Sequence, residues 1–358
     1  MSETWKRKIM YGGAIVGAVI LILGGLELLL RPKGAPRLGA TILAYGYSST
    51  VLGDFSPNQD VVSTLKPALP YHVTVNGQGY RDREVAVPKP GRTFRILMLG
   101  DSFVEGPFVN DEETLPRALE RIMLERQPNR AVEVVNAGHS GYTITDEMEY
   151  YDEKGYRFDP DLVILVFGPN DIADLTKPVQ AREFLKISER VAETSLLTRK
   201  TQEITQHSAL LSRGAKVAAY LLTKFRIRSL GPINPDALRE RLDQGLVYVP
   251  DPPPEVKKWF SRYEELLLEF FERIRRDGRQ FLFVLFPTSE QMVETEPGRP
   301  QAILAAFGEK HRIPFVDLLP QMRFWVRRGE TLYLDPLDRH PTPQGYWRAA
   351  EKIQETIP

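Results

Sequence analysis

Cysteine is absent from all 358 residues. That excludes disulfides, thiolate zinc sites, a cysteine nucleophile and attachment through a lipidated cysteine. An excess of either charge is also lacking, since Lys+Arg and Asp+Glu stand at 47 each. Nothing at the whole-chain level therefore draws the protein to nucleic acid or another polyanion. The sequence has no Gly-x-x-x-x-Gly-Lys-Ser/Thr phosphate loop, no His-Glu-x-x-His zinc motif and no complete dinucleotide fingerprint. A reaction run by side chains, with no cofactor and no metal, is the expectation. What is present is ordinary globular composition, 42% hydrophobic and 26% charged, which predicts a buried core. The length suits one large α/β domain with extra segments.

Ile9 to Leu26 is an uncharged apolar run that continues past Glu27 to Leu30. About 20 helical residues span the ~30 Å hydrocarbon core of a bilayer. A cleaved signal peptide would carry a shorter apolar region and a small-residue cleavage site, and no good site follows Leu30. Residues 9–30 are therefore predicted to be a retained transmembrane signal anchor behind a short basic cytoplasmic tail, 1–8. Lys6, Arg7 and Lys8 are balanced by Arg31, Lys33 and Arg37, so the positive-inside rule does not set the orientation. Gly13 and Gly17 have the spacing that lets membrane helices approach closely.

Residues 31–92, rich in Pro and Gly and ending in Lys89-Pro90-Gly91, read as a tether and irregular lead-in, with the main domain at 93–358. There, short apolar runs at Phe94–Leu99, Val132–Asn136, Leu162–Phe167, Phe281–Phe286 and Pro314–Val316 alternate with helical patterns near 113–126, 145–156, 254–276, 298–310 and 342–356. This alternation predicts a doubly wound, flavodoxin-like parallel sheet of five strands with both faces covered. Trp259, Tyr263, Leu266, Leu267, Phe270, Phe271 and Ile274 recur at helical spacing and are expected to face the core. A helical insertion at about 172–253 has the length of a lid or binding wall. It carries Arg182, Lys186, Arg190, Arg199, Lys200, Arg213, Lys216, Lys224, Arg226 and Arg228. Those cations read as a solvated face or, more sharply, as a contact for anionic lipid headgroups or an acidic glycan.

In open parallel sheets, ligands bind outside the carboxyl ends of the strands. The first run leads into Gly100-Asp101-Ser102, a serine at a strand-to-helix turn. The second is followed by Asn136-Ala137-Gly138-His139-Ser140-Gly141-Tyr142-Thr143, whose glycines allow close backbone approach and free N–H groups. The third ends in Gly168-Pro169-Asn170-Asp171, offering a side-chain amide. Near the C-terminus, Asp335-Pro336-Leu337-Asp338-Arg339-His340 puts a histidine two residues from an aspartate in a loop, which suits an oriented base. Together these residues read as an acyl-transfer site. Ser140 does not fit a nucleophile elbow, because Gly-x-Ser-x-Gly would need glycine where Tyr142 stands.

These blocks, in this order, resemble the SGNH (GDSL-type) hydrolases, and the likeness covers about residues 76–356. The stretch from Asn76-Gly77-Gln78-Gly79-Tyr80-Arg81-Asp82 into the serine block is similar to membrane-anchored bacterial members. The resemblance implies Ser102 as nucleophile and His340 as base. It further implies an oxyanion hole from the N–H groups of Ser102 and Gly141 and the amide of Asn170, with Gly138 as a substitute for Gly141. Leu337 stands where the family has the triad aspartate, so the acid falls to Asp338, with Asp335 as runner-up. Asp101 and Asp171 are supporting residues.

The implied function is a serine esterase acting on acyl esters, short-chain and O-acetyl in type, carried by a cell-envelope carbohydrate or lipid. Its catalytic domain would lie on the extracytoplasmic side of the inner membrane. An O-acyltransferase acting on an envelope polysaccharide and an inactive glycan-binding protein remain as alternatives.

Overall fold

The computed structural model describes residue 55 and residues 57–63, 69, 71–168, 171–172, 175, 247, 253–292, 299–335 and 338–357. The predicted anchor at 9–30, most of the insertion with its cationic side chains, and Asn170 lie outside the described residues. Among the described residues no helix is long and apolar enough to cross a membrane.

Part of the segment read as an irregular lead-in holds an antiparallel pair, β1 (Gln59–Ser63) and β2 (Tyr71–Val75). Tyr71, Val73 and Val75 point inward at the period of two that a half-buried strand requires, and cluster with Phe55. Polar bonds fix the residues that follow. Arg81, with its guanidinium buried, donates to the carbonyls of His72, Gly106 and Val109 and pairs with Asp111 at 2.9 Å. Asp82 accepts the Asn136 N–H at 2.9 Å, and Arg83 makes a two-point ion pair with Glu120 at 2.6 and 2.8 Å. Such bonds leave no apolar period in the sequence, so Pro and Gly content alone misreads the segment.

The main sheet is β3 (Thr93–Gly100), β4 (Ala131–Gly138), β5 (Leu162–Phe167), β6 (Gln280–Leu285) and β7 (Phe315–Asp317), all parallel, in the spatial order β4-β3-β5-β6-β7. This is the doubly wound arrangement expected. Among the described residues the α-helices are α1 (Ser102–Glu105), α2 (Leu115–Arg126), α3 (Ile144–Glu153), α4 (Pro254–Arg276), α5 (Arg299–His311), α6 (Leu319–Arg327) and α7 (Pro343–Gln354).

Alternate strand residues feed two cores. Leu97, Leu99, Val163 and Leu165 pack with α3, α4 and α5 on one face. Ile96, Met98, Ile164 and Val166 pack with α2, α6 and α7 on the other. With both faces covered, β3 and β5 are buried along their whole length, which is why they read as continuous apolar runs. The α4 stripe is core: Tyr263, Leu266, Leu267, Phe270, Phe271 and Ile274 are buried and Trp259 packs partly buried beside them. Each such burial contributes about 1.5–3 kcal/mol.

From β3 the chain crosses to β4 on one side, then returns past β3 to β5 on the other. This reversal puts the topological switch point at the carboxyl end of β3, the place where open α/β sheets bind ligands.

Candidate active site

At the end of β3 the chain turns directly into α1. Asp101 caps the helix, accepting the Phe103 N–H at 2.9 Å, and Gly106 closes it at φ +79. Ser102, the first helical residue, is half-buried. Its Oγ lies 2.8 Å from His340 Nε2. On the far side of the imidazole, Nδ1 is 2.5 Å from Asp338 Oδ1, which also accepts the His340 backbone N–H at 2.9 Å.

The histidine loop is held at several points. Leu334 N–H donates to the His340 carbonyl at 3.0 Å, Asp338 N–H to the Leu334 carbonyl at 3.1 Å, and Tyr333 OH to the Pro287 carbonyl at 2.6 Å. Two residues after His340, Thr342 caps α7 by accepting the Gly345 N–H at 3.0 Å. The Phe103 and Phe108 rings flank the imidazole at 5.5 and 5.7 Å between centroids. A carboxylate on Nδ1 holds the proton there and leaves the Nε2 lone pair to the serine hydroxyl. Such an array can take the hydroxyl proton as the oxygen attacks a carbonyl carbon. Asp335 is exposed and Ser140 is exposed; neither is the group bonded to the imidazole.

The two candidate glycines have different surroundings. Gly138 ends β4 with its N–H on Asn136 Oδ1 at 3.1 Å, and a Cβ there would lie 2.2 Å from Glu105 N and 2.6 Å from the Val104 carbonyl carbon. Glycine at 138 lets β4 touch the backbone of α1. Gly141 is the third residue of a turn closed by Tyr142 N–H to the His139 carbonyl at 3.1 Å, with φ +81. Ser140 is not among the positive-φ residues, so the turn is type II, which calls for glycine at this position. Among the described residues the N–H groups of Ser102 and Gly141 have no acceptor.

Asp171 is fully buried, its Oδ2 accepting the Gly168 N–H at 3.2 Å in the turn that follows β5. Two acids stand out that the sequence did not single out. Glu147 of α3 is fully buried, and neither carboxyl oxygen has a hydrogen-bond partner among the described residues. Burial, then the carboxylates of Asp101 and Asp146, push it well above the usual carboxylate range, favouring the neutral acid. Glu105 of α1, 2% exposed, accepts the Ser140 N–H at 2.6 Å. The Gly-Asp-Ser block runs on to Glu105 and Gly106, but a backbone partner 35 residues away leaves no mark in the sequence. Among the described residues no group of three His, Asp or Glu could hold a metal ion.

No curated protein matches the chain. Among solved structures it is similar to a lipase/acylhydrolase from Enterococcus faecalis, at 15% identity over 74% of this chain and 94% of that one, with a TM-score of 0.42. The same identity, coverage and score relate it to a catalytic mutant of an acetylxylan esterase from Geobacillus stearothermophilus. An alpha/beta hydrolase from the metagenome of Lake Arreo, Spain, shares 14% identity over 73% of this chain and 94% of its own, with a TM-score of 0.43. The model of one family matches residues 98–348, a stretch that takes in the serine turn, the glycine turn and the histidine loop. The chain belongs to that family, the GDSL-like lipases and acylhydrolases, and is an enzyme that hydrolyses carboxylic esters.

Proposed function

We propose that the protein is a membrane-anchored serine esterase in which Ser102 is the nucleophile, His340 the general base and Asp338 the residue that orients and charges the imidazole. The observation that supports it is the run of contacts from Ser102 Oγ through His340 to Asp338, at 2.8 and 2.5 Å. His340 takes the Ser102 proton as Oγ adds to the ester carbonyl. It returns that proton to the departing alcohol, leaving an acyl-serine. Water, deprotonated by the same imidazole, then releases the acid and restores the serine. The tetrahedral oxyanion is held by the N–H groups of Ser102 and Gly141 and the side-chain amide of Asn170.

The apolar run at 9–30 anchors the enzyme in the inner membrane, with the catalytic domain on the extracytoplasmic side. Its substrate is an O-acetyl-type ester on an envelope carbohydrate or lipid. This part of the reading rests on the apolar run and on the resemblance of residues 76–102 to anchored bacterial members.

The test is mass spectrometry of the full chain, extracted in non-ionic detergent and treated with a fluorophosphonate, beside a p-nitrophenyl acetate assay of the same sample. A single adduct on Ser102 with loss of turnover is expected. No adduct and no turnover in folded protein would overturn the reading in favour of a binding protein. Transfer of labelled acetyl to a glycan faster than its release to water would replace the esterase by an acyltransferase.

The oxyanion assignment carries its own expectation for Gly141→Ala. A Cβ at 141 meets nothing within 4 Å, so the change brings no clash. The cost lies in the backbone, since an L-residue at φ +81 costs roughly 1–2 kcal/mol. A type I turn relieves it by reversing the 140–141 peptide, and the Gly141 N–H then points away. The expected result is a fall in kcat of about 10²–10³-fold with little change in KM or melting temperature. A kcat within about twofold of the parent would remove Gly141 from the oxyanion hole.

A further inference from the structure

We infer that Glu105 is a positioning residue for this reaction, one that locks the oxyanion turn at 139–142 to the helix that carries Ser102. The inference rests on the oxyanion reading above. Turn and nucleophile belong to different strand ends, β4 and β3, and a hole built from both works only if their separation is fixed to a fraction of an ångström.

Glu105 sits one turn after Ser102, on the short helix that Ser102 opens. Its backbone N lies where a Cβ at Gly138 would come within 2.2 Å, and its carboxylate accepts the Ser140 N–H at 2.6 Å. That N–H belongs to the second residue of the turn, next to the peptide whose N–H is Gly141's. The bond joins a side-chain carboxyl oxygen to a backbone amide and, at 2.6 Å, is a close one.

Glu105 is itself held from behind. Its backbone N–H donates to the Asp101 carbonyl at 3.0 Å and its carbonyl accepts from Arg81 at 3.0 Å. Arg81 in turn pairs with Asp111 and grips the Val109 carbonyl at 2.6 Å. Glycine at 141 selects the turn type, while Glu105 holds the turn's second residue to α1, beside the His139 N–H that donates to the Gly100 carbonyl at 3.0 Å. A residue that merely filled space would be served by an apolar side chain; a carboxyl group buried to 2% exposure is costly unless it is hydrogen-bonded, as this one is to the Ser140 N–H.

The experiment compares Glu105→Gln and Glu105→Ala in the full chain with the parent and with Ser102→Ala. Readouts are kcat and KM for p-nitrophenyl acetate, inhibition by methaneboronic acid, which adds to the serine as a tetrahedral anion, and the melting temperature. The amide of glutamine still offers an oxygen to the Ser140 N–H. Glu105→Gln is therefore expected to keep kcat within about tenfold, and Glu105→Ala to lose about 10²-fold. KM should hold in both, and boronate affinity should fall in step with kcat.

Folded Glu105→Ala with kcat within twofold of the parent overturns the inference. So does a loss shared equally by kcat, KM and melting temperature, or one as deep in Gln as in Ala. Activity surviving in Ser102→Ala would instead refute the nucleophile assignment, which keeps the two failures apart.

Discussion

Ser102→Ala is expected to reduce hydrolysis of p-nitrophenyl acetate by at least about 10⁴-fold while the protein stays folded. Without Oγ the imidazole has no hydroxyl to deprotonate and no acyl-enzyme can form. What remains is the catalysis of an oxyanion hole and bound substrate alone, which leaves such sites roughly 10³–10⁴-fold above water and about 10⁶-fold below the intact enzyme. The fold should tolerate the change, because the Ser102 side chain is half-buried and its hydrogen bond is to His340. Loss of one such bond costs about 1 kcal/mol. The turn is held by its neighbours, Asp101 capping α1 and Gly106 closing it. Steady-state assay of the purified variant, with its melting temperature, checks both halves. Turnover within tenfold of the parent would mean that another group attacks the ester.

The parts of the fold that were legible in the sequence are those whose burial is periodic. β3 and β5 lie inside the sheet with every side chain buried, so their apolar runs announced them. α4 lays one stripe on the core and kept its 3.6-residue period for 23 residues. α6 also lays an apolar stripe on the core, Leu319 and Met322 buried with Trp325 and Val326 packed beside them, but at nine residues, directly behind the apolar β7, its period was too short to stand out. β1 and β2 were hidden although Tyr71, Val73 and Val75 keep a period of two, because each strand is only five residues long and stands among Asn, Gly and Pro.

The candidate site divides along the same line. That Ser102 and His340 would lie together was legible, because acyl-transfer chemistry calls for those residue types and the strand ends suggest the place. Gly138 and Gly141 could not be told apart, since the close approach of α1 to β4 and the sign of φ at 141 exist only in three dimensions. Glu105 was illegible for a stronger reason, its partner being a backbone N–H that any residue at 140 except proline would supply.

The choice between two loop carboxylates, which the sequence left open, becomes an experiment of comparable size. Asp338→Asn is expected to lower kcat by about 10⁴-fold with KM nearly unchanged. In the parent, one oxygen of Asp338 accepts from both the His340 backbone N–H and Nδ1. An asparagine can keep its oxygen there, holding the loop but offering no charge to stabilise the imidazolium that forms when Ser102 is deprotonated. Turned over, it presents its NH₂ to Nδ1, which forces the proton to Nε2 and leaves nothing to accept the hydroxyl proton. Either orientation fails in the transition state while leaving the ester's binding surface in place, so the loss belongs in kcat. Asp335→Asn is the matched control, and it should change kcat by less than about threefold, because that carboxylate is exposed and the imidazole is already bonded to Asp338. Were the two variants to exchange behaviour, the acid of the triad would be Asp335, and the histidine loop would have to close differently around substrate.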